Sequence, residues 1–189
     1  MMRDLFFLSP YSTDIDAPLL EVISDDGLIY HSFGKRISFS HTTFAHNEVI
    51  LSINSSDCLF VAWRYFPILR RYTFGGDLLD EQHIKYSLLE ELAKSNYKMK
   101  IINKKIKTRD VVIGFKATFD KYYLLLIHPR IEILEFDLNG LLTNIFWSDR
   151  PYEFLTNDFI VLNDKDMQLP IFYILNIYPI NGVSFYSSH

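Results

Sequence analysis

A chain of 189 residues, 49% hydrophobic and 22% charged, is long enough to bury a core and too apolar to be disordered. Its formal net charge of −4 argues against a general nucleic-acid binder, and its one cysteine, Cys58, excludes an internal disulfide framework. Aromatic residues at 16%, with 16 Phe and 12 Tyr, favour strands.

In chain order, Leu5–Leu8 reads as a short strand ended by Ser9-Pro10. That apolar run is too short for a signal-peptide core, and Asp4 interrupts its basic flank. A polar loop leads to a hairpin, Leu19 to Ser24 and Leu28 to Phe33, turned by Asp25-Asp26-Gly27. Gly34-Lys35-Arg36 breaks the chain before a polar connection that carries His41 and His46. Four strands follow, Glu48 to Ile53, Cys58 to Arg64, Ile68 to Thr73 and Leu78 to about Ile84, separated by Asn54–Asp57, Pro67 and Gly75-Gly76.

Ser87 followed by Glu90 and Glu91, with Leu88, Leu89 and Leu92 on one side, predicts a short capped helix. A basic run then extends from Lys94 through Lys98, Lys100, Lys104, Lys105 and Lys107 to Arg109, with no acid between Glu91 and Asp110. It reads as a solvated segment, with a patch for an anionic partner as the alternative. A second set of four strands covers Val111 to Thr118, Tyr122 to His128, Ile133 to Asp137 and Leu141 to Phe146, with Asn139-Gly140 expected to form a two-residue I′ turn. Asp158 to Leu162, Ile171 to Tyr178 and Val183 to Tyr186 close the chain.

Four segments share one pattern: Leu20–Gly27, Leu69–Gly76, Ile133–Gly140 and Leu175–Gly182. Each places Leu or Ile seven residues before a glycine, Ile, Tyr or Phe four before it, and Asp, Gly or Asn directly before it. Repetition at roughly 40–50 residues, with two complete four-strand sets, is the mark of a propeller array rather than a sandwich. The expected fold is therefore all-β, a propeller-like array of four-stranded antiparallel blades in an incomplete ring, with one short helical insertion near 86–94. Its expected parts are a partial blade at 1–34, a blade at 47–84, a basic insertion at 85–110, a blade at 111–146 and a partial blade at 158–187.

The stretches 59–81 and 122–146, together with 19–35, resemble bacterial six-bladed β-propellers of the NHL/TolB-like type. In that family a strand ending in Tyr-Asp before a glycine hairpin marks the outer edge of each blade. Those positions match Tyr72 and Gly76, and Phe136, Asp137 and Gly140. The resemblance implies a ligand- or partner-binding propeller, often exported to the periplasm or cell surface. A six-bladed ring needs roughly 240–300 residues, so this chain holds three to four blades. Either two copies complete a ring, the blades number four, or the chain is part of a longer protein.

In an up-and-down blade, the turns between its second and third strands share one face with the connections to the next blade. That face should carry Trp63, Arg64 and Tyr65, His128 and Arg130, and Trp147, Asp149 and Arg150. Aromatic, Arg and Asp side chains on loops of a rigid scaffold suit a sugar, a peptide or a protein partner, and packing between blades is the competing use. Catalytic signals are poor. His41 and His46 are five apart in a loop, and neither Asp14/Asp16 nor Asn163/Asp164/Asp166 completes a Ca²⁺ loop, so no metal or cofactor is expected. The leading expectation is a non-catalytic module binding a protein or a small carbohydrate-like ligand, with no nucleic acid and no membrane span. The alternatives are a metal-dependent lactonase-like hydrolase, or a structural partial ring completed by a second copy in a homodimer.

Overall fold

A computed structural model of the chain describes residues 5–38, 47–54, 58–97, 110–127, 130–148, 155–162, 170–178 and 182–187. The protein is all-β, built of antiparallel sheets with one short helix among the described residues. The first sheet is β1 (Leu5–Leu8), β2 (Leu20–Ser24) and β3 (Ile29–Phe33). The second has four strands, β4 (Val49–Ile53), β5 (Cys58–Trp63), β6 (Ile68–Thr73) and β7 (Leu78–His83). The third also has four, β8 (Gly114–Ala117), β9 (Lys121–Leu126), β10 (Glu132–Asp137) and β11 (Leu142–Trp147). The last is β12 (Leu155–Leu162), β13 (Ile171–Tyr178) and β14 (Gly182–Ser187). Within each sheet the strands lie in sequence order, the meander of a propeller blade.

The glycine hairpins are built alike, though not as two-residue I′ turns. In the third sheet the Gly140 N–H donates to the Asp137 carbonyl at 3.0 Å, and the Asp137 N–H donates to the Leu141 carbonyl at 3.0 Å. The same pair of bonds joins Gly76 to Thr73 and Thr73 to Asp77, and Gly27 to Ser24 and Ser24 to Leu28. Each loop is therefore three residues long and ends in one left-handed glycine, with φ of 81° at Gly27, 96° at Gly76 and 86° at Gly140. The residue opening the loop explains the choice. The Asp137 carboxylate accepts the N–H groups of Asn139 and Leu141 at 2.9 and 2.8 Å, and the Thr73 hydroxyl accepts that of Asp77 at 3.1 Å. Such side-chain bonds hold the first corner, and only the last position then needs glycine.

Registers coincide as well. Val22 faces His31, Arg71 faces Asp80 and Glu135 faces Asn144, in each case five before and four after the glycine. A bulge follows immediately in all three, so that Ile23 pairs with Ile29, Tyr72 with Leu78 and Phe136 with Leu142. The preceding strands align too: Phe7, Phe60 and Tyr123 stand opposite Val22, Arg71 and Glu135. The last sheet departs from the pattern. Gly182 lies inside β14 opposite Asn176, and Leu175 pairs with Val183 rather than with a residue six beyond the glycine. The fourth member of the sequence repeat is therefore a repeat of composition and not of backbone.

The chain groups into two compact units, Met1–Leu51 with Asp57–Val111, and Ser52–Ser56 with Val112–His189. In the first unit β5 is buried along its whole length, from Cys58 to Trp63. Its neighbour sheet approaches closely: Phe33 lies 5.3 Å from Tyr72 between ring centroids, and Phe7 lies 5.1 Å from Phe74. In the second unit Tyr123, Leu125 and Ile133 of the third sheet, with Ile131 just before β10, pack with Phe159, Phe172 and Ile174 of the last.

The helix α1 (Ser87–Tyr97) begins at the expected Ser87, with Glu90 in its first turn. It runs three residues beyond 94 because its end has tertiary partners. The Asn96 amide donates to the Tyr65 carbonyl at 2.9 Å, and Tyr97 lies 4.7 Å from Phe66. Leu89, Leu92 and Ala93 bury the inner face. No helix among the described residues is long and apolar enough to cross a membrane.

Candidate functional site

The turn between β5 and β6, Arg64 to Pro67, is held from three sides in the first unit. The Arg64 N–H donates to the Glu48 carbonyl at 3.0 Å, its carbonyl accepts the Val111 N–H at 2.9 Å, and α1 supports Tyr65 and Phe66 as described. A turn fixed in this way presents side chains at low entropic cost.

Trp63, expected at the rim, is fully buried. Its indole N–H donates to Asn47 Oδ1 at 3.4 Å, and the Arg70 guanidinium lies 4.8 Å from its ring centroid. Tyr65 is buried except at its edge, and its hydroxyl donates to Glu48 Oε2 at 2.7 Å. Arg64 approaches the other oxygen of the same carboxylate, Nε to Oε1, at 3.3 Å. The side chain of Glu48 stays half exposed between these two partners.

Glu48 opens into a cavity of about 310 Å³. The cavity is lined by Ser9, Pro10 and Tyr11 from the β1–β2 connection, Arg36, Asn47 and Glu48 from the β3–β4 connection, Val49, and Tyr65. These loops open on one side of the unit because the strands alternate in direction. Arg36 builds one wall. Although only 7% exposed, it donates to the carbonyls of Ala17, Pro10 and Pro18 at 3.2, 2.6 and 3.1 Å. Desolvation lowers its pKa, partly offset by Asp14. Asn47 fastens the connection by accepting the Ile37 N–H at 2.8 Å and donating to the Ile37 carbonyl at 2.9 Å. Asp110, beside Arg64 and Glu48, has its carboxyl pushed up by desolvation and by Glu48, against the pull of Arg64.

In the second unit Arg130 stacks over Trp147, 4.3 Å from the ring centroid, and its Nε lies 3.0 Å from Glu132. Trp147 is half exposed. His128, Asp149 and Arg150 lie outside the described residues, as do His41, His46 and the basic run beyond Lys94. Among the described residues no group of three or more His, Cys, Asp or Glu side chains is placed to hold a metal ion. Cys58 is buried, and desolvation raises its pKa, which keeps the thiol protonated and inert.

Sequence reasoning found Arg64 and Tyr65 and missed Glu48, Asn47 and Arg36. Glu48 carried a signal, an isolated acid at the mouth of an apolar strand. Arg36 carried none, since a Gly-Lys-Arg triplet reads as an exposed break. No protein-family model matches the chain, and no curated protein matches it.

Proposed function

We propose that the protein is a non-catalytic binding module that takes a small carbohydrate-like ligand in the cavity beside the Arg64–Pro67 turn. The observation that carries this reading is Glu48. Its carboxylate is oriented by Arg64 and Tyr65 yet half exposed to the cavity, so it retains acceptor capacity for a ligand hydroxyl. Tyr11 adds an exposed aromatic ring at the mouth, and Ser9 a hydroxyl. A volume of about 310 Å³ suits one or two sugar rings better than a helix or a folded partner. The propeller-like repetition supports the same reading, because rigid sheets bearing loops on one side are a recognition scaffold. So does the resemblance to NHL/TolB-like propellers, which belongs to this proposal as the family of origin.

Titration calorimetry with a panel of monosaccharides and disaccharides tests it. Glu48→Gln keeps the shape and weakens the charged acceptor, so affinity for the best sugar should fall about tenfold, or roughly 1.4 kcal/mol for one charge-assisted bond. Tyr11→Ala should weaken binding without changing thermal stability. A wild-type protein that binds no sugar in the panel, or a Glu48→Gln variant that binds unchanged, refutes the site.

A further inference from the structure

The cavity beside the Arg64–Pro67 turn has a donor–acceptor balance that narrows what it can hold. Among the described residues that line it, most side-chain protons are committed to the protein itself. The Ser9 hydroxyl donates to the Leu19 carbonyl at 3.0 Å, and the Tyr65 hydroxyl donates to Glu48 Oε2 at 2.7 Å. Arg36 spends its Nε and Nη2 protons on the carbonyls of Ala17, Pro10 and Pro18. Asn47, only 2% exposed, donates to the Ile37 carbonyl. A hydroxyl that has given its proton keeps its lone pairs, so Ser9 and Tyr65 remain acceptors. The Glu48 carboxylate accepts only, and it is half exposed. The wall is therefore rich in acceptors and poor in donors.

Charge and aromatic surface point the same way. Asp14 stands near Arg36, while Arg64 and Asp110 stand near Glu48, so three acids face two arginines. The Arg64 Nε is buried, and Arg64 is not part of the lining. Tyr11 is 77% exposed at the mouth, and an aromatic face attracts a cation. A neutral sugar hydroxyl brings one proton and two lone pairs, and here its lone pairs meet oxygens with no proton to give. An ammonium brings three protons, no lone pair and a charge opposite to that of Glu48.

We infer that the ligand of this cavity is an amino sugar, its protonated amine seated on Glu48 within a wall of acceptor oxygens. This specificity rests on the carbohydrate-like reading of the cavity, to which it adds a charge.

Titration calorimetry with the full chain is the test, at a pH where the amine is protonated. The probes are glucosamine, galactosamine and 6-amino-6-deoxyglucose, each beside its hydroxyl parent and its N-acetyl derivative. At least one amine should bind about tenfold more tightly than its parent and its N-acetyl form, since a charge-assisted bond is roughly twice as strong as a neutral one. Glu48→Gln, with wild-type circular dichroism, should abolish that advantage. Should the variant fail to fold, salt dependence of the wild type replaces it: amine binding should weaken as salt rises, and parent binding should not. Parent sugars that bind as tightly as the amines overturn the amine assignment and leave the carbohydrate reading standing. An amine advantage that survives Glu48→Gln, or that salt leaves unchanged, overturns it too. If no sugar binds, with or without an amine, the carbohydrate reading falls and the amine assignment falls with it.

Discussion

Gly27 and Gly76 occupy the same place in the same three-residue loop with similar positive φ, yet their surroundings differ, and this makes them a paired test of sheet packing. A Cβ added at Gly27 meets nothing within 4 Å. Gly27→Ala should therefore cost only the left-handed backbone term, about 1–2 kcal/mol. A Cβ added at Gly76 comes to 2.8 Å from Phe33 Cγ and 2.9 Å from Phe33 Cβ. Phe33 cannot swing aside freely, because its ring also lies against Tyr72 and stacks on His31 at 5.4 Å. Gly76→Ala should add an overpacking cost of about 1–3 kcal/mol to the backbone term. The assay is guanidinium unfolding followed by the fluorescence of Trp63, buried in the second sheet, in a Trp147→Phe background that silences the second unit. Replacing Phe33 by Ala in the Gly76→Ala protein should recover the overpacking part, which a double-mutant cycle isolates. Equal losses at the two glycines, within about 0.5 kcal/mol, would refute the close packing of Phe33 of the first sheet against the second.

Two further predictions concern carboxyl groups. Glu135 is fully buried and accepts from Thr143, Asn144 and Lys121 at 2.7, 2.8 and 2.9 Å; burial alone would raise its pKa, but these bonds and the lysine charge outweigh it and hold the group below the usual carboxylate range. Its stabilisation is present above the unfolded carboxylate pKa and is lost as pH falls through the folded one. Glu135→Gln should thus cost about 1.5–3 kcal/mol at neutral pH and progressively less in acid, and a pH-independent gap in denaturant titrations would refute the assignment. Asp110 has the opposite sign: its folded pKa is raised, so it begins to destabilise as pH climbs through the ordinary Asp value. Asp110→Asn should raise the melting temperature at neutral pH and leave it unchanged in acid, the reverse trend counting against the desolvated setting.

The strands and the helix were legible because they rest on local rules. Alternation fixes a strand, and Ser87 with Glu90 fixes a helix start. The turn type was not, because Asn139-Gly140 satisfies the two-residue rule as well as the three-residue one, and the Asp137 side chain decides between them. Gly182 misled for a related reason. Spacing alone made it a turn glycine, whereas pairing places it in β14. The candidate site was half legible. Arg64 and Tyr65 follow from blade connectivity, but their common partner Glu48 lies 17 residues from Tyr65 in sequence and arrives only through sheet order. Trp63 looked like a rim aromatic because a tryptophan at a strand end can point either way, and its indole is committed to Asn47 inside the core.

The cross-strand position five before the glycine shows why a repeat that predicts this fold so well predicts its chemistry so poorly. In the first sheet that pair is Val22 and His31, and the His31 ring nitrogens have no hydrogen-bond partner among the described residues. In the second it is Arg71 and Asp80, joined by two bonds of 2.6 Å that, with Gln82, overcome desolvation and hold the Asp80 carboxyl below its usual pKa. In the third it is Glu135 and Asn144, with Lys121 and Thr143 gathered around the acid. An apolar residue opposite a ring, an ion pair and a buried acid all occupy one backbone site. The loop and bulge tolerate this because their bonds run through the backbone and the loop-opening side chain, three before the glycine, and never through the pair. Backbone repetition therefore fixes where a side chain stands and leaves its identity free. Arg36 and Glu48, which shape the cavity, lie in the β3–β4 connection, outside the three matching hairpins, and only chain order brings them beside Tyr65.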